Sequence, residues 1–212
     1  MGRANELQKL FESLKGQWIL LRELQSKNAS EPSGFCHGTA SFTSREPSPV
    51  MGDDGELDLA AAELLYSEEG ELEVSNTVKF KFSRKYIWRL KQDSGVGNIS
   101  VWFTRPGTEL IDYLFHKIDI DMSRTSKSDH GSLQGLEGNG GHLCVEDFYS
   151  SSYTFYLSEN AEHQSHAPLF SAFQSVHEVR GPQKDQVITT QFARSREQAD
   201  QKPSDNEPRS IC

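Results

Sequence analysis

Several strand-patterned stretches of this chain place one ionisable side chain each on an otherwise apolar face. In VKFKFSRKYIWRL (78–90), read with a period of two, Val78, Phe80, Phe82, Tyr86, Trp88 and Leu90 share a face, and Arg84 has their parity. Lys79, Lys81, Ser83, Lys85 and Arg89 take the other face, where Ile87 is the one apolar residue. The same test puts Arg22 with Trp18, Leu20 and Leu24, and Glu68 with Ala62, Leu64 and Tyr66. It puts His116 with Leu114, Ile118 and Ile120, and Asp147 with Tyr149, Tyr153 and Phe155. Two arginines, two carboxylates and a histidine thus point inward. An unpaired buried charge is costly even after relaxation, so these groups must find one another, water or a ligand. A ladder of structural ion pairs explains any one of them. For the set, a polar floor in an apolar cavity is the more economical account, and that is how small-ligand sites are built.

A second constellation is HLCVEDFY (142–149), with His142, Cys144, Asp147 and Tyr149. Its spacing makes a poor zinc site, because Asp147 has the opposite parity to His142 and Cys144 and no second dense ligand pair stands nearby. A histidine with an aspartate is also the material of an acid–base pair. His116, His142 and Asp147 are therefore the candidate catalytic groups. In EVRGPQKDQ (178–186), Gly181-Pro182 marks a turn; Lys184 either stays solvated there or meets an anion at a cavity mouth. The candidate ligand-binding residues are Arg22, Tyr66, Glu68, Arg84, Tyr86, Trp88, Tyr149 and Lys184. No metal or cofactor is expected, since the cysteines and histidines lack closed-site spacing and GxGxxG, GxxxxGK[ST] and GxSxG motifs are absent.

The elements that must position these groups are nearly all strands. One short helix opens the chain, with Leu7, Leu10, Phe11 and Leu14 at helical spacing, Asn5 suited to cap it and Gly16 to end it. Strand patterns follow over 16–24, 34–42, 59–70, 71–76, 77–90, 98–104, 110–120, 140–157, 173–181 and 185–194. About ten strands with short links and one capping helix predict a single up-and-down antiparallel barrel, with a sandwich as the alternative. The barrel domain spans 1–194. Residues 43–58 and 122–140 read as polar loop inserts, and 195–212 has the composition of a disordered tail.

Composition narrows the function classes. The formal net charge of the 212 residues is -9 and the basic residues form no arm, so nucleic acid is not an expected partner. No apolar run approaches the ~18 residues of a membrane span, and the N-terminus lacks the apolar core of a signal peptide. Three cysteines without a CxxC fit the reducing cytoplasm. Nothing in the sequence speaks to oligomeric state.

GQW…R (16–22), LLYSEEG (64–70), SRKYIWR (83–89), VWF (101–103), FH (115–116), HLCVEDFYSSSYTF (142–155) and VRGPQKD…R (179–194) together resemble a family of uncharacterised bacterial and fungal proteins. That family is a domain of unknown function regarded as lipocalin-like. The resemblance covers about residues 16–194, and HxCxxDxY with GPxKD is its most specific part. It implies a lipocalin-like barrel and no particular activity. More distantly the chain resembles small haem-binding barrels with an opening GxW, but no axial histidine can be assigned and haem is not carried over. Three functions remain in view. The first is a cytoplasmic barrel that binds a small, partly apolar, anionic molecule. The second is an enzyme using the same cavity for His/Asp acid–base chemistry. The third is a non-catalytic interaction module in which the ion pairs are structural.

Overall fold

A computed structural model describes residues 3–28, 31–51, 55, 57–75, 78–91, 99–127, 134–144, 146–158, 169–182 and 184–194. The tail 195–212 and Val145 lie outside them. The helix α1 (Arg3–Glu12) precedes β1 (Gly16–Ser26), β2 (Gly34–Arg45), the short β3 (Val50–Met51) and β4 (Leu57–Asp58), β5 (Ala60–Ser75) and β6 (Val78–Lys91). There follow β7 (Ile99–Thr104), β8 (Ile111–Lys127), β9 (Gln134–Cys144), β10 (Asp147–Leu157), β11 (Phe170–Arg180) and β12 (Asp185–Arg194). Ten of these close into an antiparallel barrel in the order β1-β12-β11-β10-β9-β8-β7-β6-β5-β2, while β3 and β4 form a separate hairpin. The up-and-down barrel expected from the alternating pattern is the fold, and it is lipocalin-like.

One end of the barrel is plugged. Leu10, Phe11 and Leu14 of the α1 segment are fully buried there against Trp18 and the rest of the core. The plug is fastened by polar bonds that the apolar end would otherwise leave unmade. Trp18 Nε1 donates to the Leu14 carbonyl at 2.8 Å, and the Arg194 guanidinium donates to the carbonyls of Lys15, at 2.5 Å, and Ser13. Arg194 also lies 4.2 Å over the Trp18 ring, a cation–π contact joining the first barrel strand to the last. At the opposite end, five strands (β1, β5, β7, β9 and β11) finish around an open mouth. Strand direction alone requires this, because alternate strands of an up-and-down barrel start and finish at the same rim.

Several local expectations change. Asn5 lies within α1 rather than capping it, and Gly16 begins β1 at a positive φ of 111°. The stretches 59–70 and 71–76 belong to one strand, β5, whereas 140–157 falls on two, β9 and β10. Much of the segment 122–140 is strand rather than loop, with Thr125, Ser126 and Lys127 paired to Leu136, Gly135 and Gln134.

The described part of 43–58 is largely exposed, yet it is not a free loop. Ser48 and Asp58 bond to the outer face of the barrel, where Ile87, Arg89, Ser100 and Trp102 are all buried. Arg89 Nε donates to Glu63 Oε2 at 3.1 Å, and its Nη2 to the carbonyls of Ser48 (2.7 Å) and Asp58 (3.1 Å). Arg45 Nε reaches Glu63 Oε1 at 2.9 Å. Ile87 broke the polar pattern of its face because that face carries a second, smaller core outside the barrel.

A bulge corrects one further parity. Across β7 and β8, Val101 pairs with His116 but Trp102 pairs with Leu114, leaving Phe115 as the extra residue. His116, Ile118 and Ile120 stay inward as expected, but Leu114 is aligned with the outward Trp102 and Phe115 turns to the interior.

Candidate functional site

Between the plug and the mouth the barrel encloses a cavity of about 320 Å³. An ion pair stands in its wall. Arg22 Nη1 and Nη2 donate to Glu68 Oε1 and Oε2 at 3.0 and 2.6 Å, and Arg22 Nε donates to Thr190 Oγ1 at 2.9 Å. Tyr66 donates its hydroxyl to Glu68 Oε2 at 2.5 Å. The two charges stand on β1 and β5, with β2 between them. They meet because the inward residues of β2 at that level, Cys36, Gly38 and Ala40, are small. Gly38 and Gly70 face each other there so closely that a Cβ on Gly70 would lie 2.8 Å from the Gly38 Cα. Burial lowers the pKa of Arg22, but its hydrogen bond and charge contact with Glu68 outweigh this and hold it above the usual value. Tyr66 is pushed well up, first by burial and then by the Glu68 charge. Arg22 is thereby committed.

Arg84 is not. It is the register partner of Glu68 across β5 and β6, yet the carboxylate is taken by Arg22. Arg84 is exposed, forms no ion pair among the described residues and lines the cavity. Its guanidinium acts on the Tyr86 hydroxyl, which burial pushes up and Arg84 draws partly back through its charge and a hydrogen bond. The inward arginines and carboxylates thus resolve into a closed pair, Arg22 with Glu68, and a cation, Arg84, without a carboxylate partner among the described residues.

Aromatic rings make the walls. Phe42 packs against Tyr66 and Trp88 at ring separations of 4.8 and 5.3 Å, and Phe173 stacks on Phe192 at 4.1 Å. On the β8–β11 side the bulged Phe115 touches three imidazoles, those of His116, His142 and His177, at 4.4, 5.4 and 6.0 Å. His116 Nε2 and the Tyr153 hydroxyl are hydrogen-bonded at 2.8 Å, and His177 Nδ1 is bonded to Ser151 Oγ at 2.8 Å. Burial lowers the pKa of all three histidines: His116 falls well below its ordinary value, and His177 to about 4, where the Arg22 charge adds to the effect. This wall is neutral near pH 7.

Seven of the expected ligand-binding residues, Arg22, Tyr66, Glu68, Arg84, Tyr86, Trp88 and Tyr149, line the cavity, as does His116. Lys184 stands at the rim, its Nζ donating to the Tyr149 hydroxyl at 3.2 Å. His142 lies beside the cavity, stacked on Tyr149 at 4.7 Å. Asp147 is buried but belongs to the rim, where a Cβ on Gly181 would come within 2.0 Å of its Oδ1. HLCVEDFY and VRGPQKD therefore meet at the mouth. His116 and Asp147 do not form the acid–base pair considered above: His116 Nε2 is bonded to Tyr153 and its Nδ1 has no partner. Among the described residues no three His, Cys, Asp or Glu side chains are grouped to hold a metal.

Three important wall residues were missed. His177 was legible, since Phe173, Ser175, His177 and Val179 keep one parity in β11, and Tyr153 had already appeared on the inward face of β10. Phe115 was not legible, because nothing in LIDYLFHKIDI marks the bulge that turns it inward.

A family model described as a family of unknown function (DUF6314) matches residues 14–194. No curated protein matches the chain. Among solved structures the barrel is similar to the S-type phycobiliprotein lyase CPES from Guillardia theta, with a TM-score of 0.52 and 10% sequence identity. That match covers 89% of this chain and 92% of the other. At that identity the likeness is one of fold. Among the described residues no helix is long and apolar enough to cross a membrane. The chain belongs to the family of unknown function (DUF6314).

Proposed function

We propose that this member of the family binds one small, largely apolar molecule bearing a carboxylate or phosphate, with its body in the barrel and its charge at Arg84. The supporting observation is an aromatic-walled cavity of about 320 Å³ that holds one arginine paired with a carboxylate and one without a carboxylate partner among the described residues. That volume lies at the small end of the roughly 300–1,000 Å³ typical of ligand sites. Burying an apolar body against these rings supplies affinity in proportion to the area removed from water. A guanidinium without a carboxylate partner supplies a bidentate anchor for an oxyanion. The buried free thiol of Cys36 suits a reducing compartment, and we assign the protein to the cytoplasm. A fold shared with a phycobiliprotein lyase is compatible with a barrel that holds a small ligand; it transfers no substrate.

Titration with 8-anilinonaphthalene-1-sulfonate, an anionic aromatic probe, tests the reading. Probe fluorescence should rise on binding, with Trp88 emission quenched. Ser175→Phe, which fills the cavity from β11, should abolish both changes while the circular dichroism stays that of a barrel. Undiminished binding in that variant would place the probe outside the cavity and sink the proposal.

A further inference from the structure

We infer that the ligand's polar end is a single negative charge, a carboxylate or a phosphodiester, and that a doubly charged phosphate monoester is turned away. This rests on the small-molecule reading above and adds the charge of the end that Arg84 holds. Two arginines line the cavity, and Arg22 is committed to Glu68 through both of its Nη atoms. Arg84 is the other, and it is exposed, so a group in the cavity can reach it. The histidines of the lining add no charge, because burial keeps His116 and His177 neutral. Cations around the mouth are matched by carboxylates. Lys27 and Arg180 are paired with Asp185, Lys79 with Glu73, and Lys85, next to Arg84 on the outward face, with Glu109.

The donor beside Arg84 is uncharged. Tyr86 lies two residues along the same face, its hydroxyl hydrogen-bonded to the Arg84 guanidinium and kept protonated by burial. A hydroxyl that accepts from a guanidinium still has its own hydrogen to give. One cation and one neutral donor suit an anion with two oxygens and one charge. Attraction to Arg84 grows in proportion to the ligand's charge, whereas the cost of drawing the ion out of water grows with its square. With a single cation at hand, a second negative charge adds more desolvation than attraction. It would also stand beside Glu68, the register partner of Arg84, whose own charge is already matched by Arg22.

Three probes with one ring system test this on the whole chain: 2-naphthoate, methyl 2-naphthyl phosphate and 2-naphthyl phosphate. They are compared by calorimetry at about pH 8, where a phosphate monoester carries both its charges. The diester should bind roughly tenfold more tightly than the monoester. Whichever of the diester and the naphthoate binds more tightly names the group that Arg84 takes. Phe82→Lys, which places a second cation two residues from Arg84 on the same cavity-lining face, should cut the difference between the two phosphates to within about threefold. The first ratio is read on the unmutated protein, so the test stands even if the variant does not fold. Equal binding of the two phosphates, tight or weak, overturns the inference and leaves the cavity reading intact. A folded Phe82→Lys that keeps the parent ratio also overturns it, since the discrimination would not then come from the supply of cations. Binding of anilinonaphthalene sulfonate with none of the naphthyl probes overturns it as well. Failure of every probe removes both readings.

Discussion

The two cavity arginines should behave as opposites when each is replaced by methionine. Arg22→Met removes three donors, those to Glu68 Oε1, Glu68 Oε2 and Thr190, and strands a carboxylate that is 4% exposed. Breaking a buried ion pair on one side typically costs about 3–5 kcal/mol. The lower end applies here, because Tyr66 still donates to Glu68 and the Arg22 side chain is 16% exposed, so water already shares part of its load. A loss of about 3 kcal/mol lowers the melting midpoint by roughly 6–12 °C in a domain of this size. The double variant Arg22→Met/Glu68→Leu replaces both charges with apolar bulk and should recover to within about 1 kcal/mol of the parent. Urea unfolding followed by tryptophan emission, run as a double-mutant cycle, should therefore return a coupling above about 2 kcal/mol. In the same proteins an anionic probe should bind Arg22→Met much as it binds the parent. A coupling below about 0.5 kcal/mol would mean that the pair is wet and ornamental. Probe affinity that falls with Arg22 rather than with Arg84 would refute the division of labour.

The other expectations are briefer. Arg84→Met should leave stability within about 0.5 kcal/mol, as exposed substitutions do, yet weaken anionic probes relative to their esters; an unchanged acid-to-ester ratio refutes the anchor. His177 has a folded pKa depressed to about 4 against an unfolded value near 6.5, so its contribution is full above pH 6.5 and is lost as pH falls toward 4. That contribution is on the order of 3 kcal/mol, and His177→Gln should flatten the fall of the urea midpoint between pH 7 and 5; an equally steep profile would exclude His177 as its source. Arg89→Met should cost about 3–5 kcal/mol, because Glu63 at 2% exposure loses a partner. Excising residues 47–57 should be comparably damaging, and a shortened chain as stable as the parent would show that the outer cluster is not a core.

Period-two patterning carried the architecture a long way. Inward parity identified Arg22, Tyr66, Glu68, Tyr86 and Trp88, because in a closed antiparallel barrel each inward residue has few places to go and the faces cannot exchange without a register slip. What parity cannot show is which inward groups meet. Arg84 and Glu68 are register partners, yet Glu68 turns to Arg22 two strands away, since Cys36, Gly38 and Ala40 leave room over β2. Nor does parity survive a bulge, as Phe115 and Leu114 show. The outer cluster was hidden for another reason. Glu63 and Arg89 sit on faces that read as solvated until the polar segment 43–58 folds over them, and a segment with so few apolar residues gives no sign that it will be part of a core. Ile87 was the one hint.

The two buried ion clusters bear on function through what they leave free. Outside the barrel, Glu63 is shared by Arg45 and Arg89, and Arg89 also reaches Asp58 at 3.4 Å. Inside, Glu68 is matched by Arg22 and Tyr66. Each set balances its formal charges, although Asp58 Oδ1, Glu63 Oε1 and Arg89 Nη1 of the outer one are buried without a hydrogen bond among the described residues, and the histidines are held neutral by burial. The formal charge left for a ligand inside the cavity is then that of Arg84, since Lys184 at the rim stands near the carboxylates of Glu31 and Asp147. A chain with a net charge of -9 repels anions at long range, but screening beyond about a Debye length, roughly 8–10 Å in physiological salt, lets Arg84 dominate at close range. Recognition of an anion should therefore be short-ranged. Raising salt from low to physiological strength should weaken probe binding through Arg84 only modestly while speeding association, because the distant repulsion is screened first. An association rate that falls steeply with salt would instead mean that the encounter is steered by attraction, and would place the governing charges elsewhere on the surface.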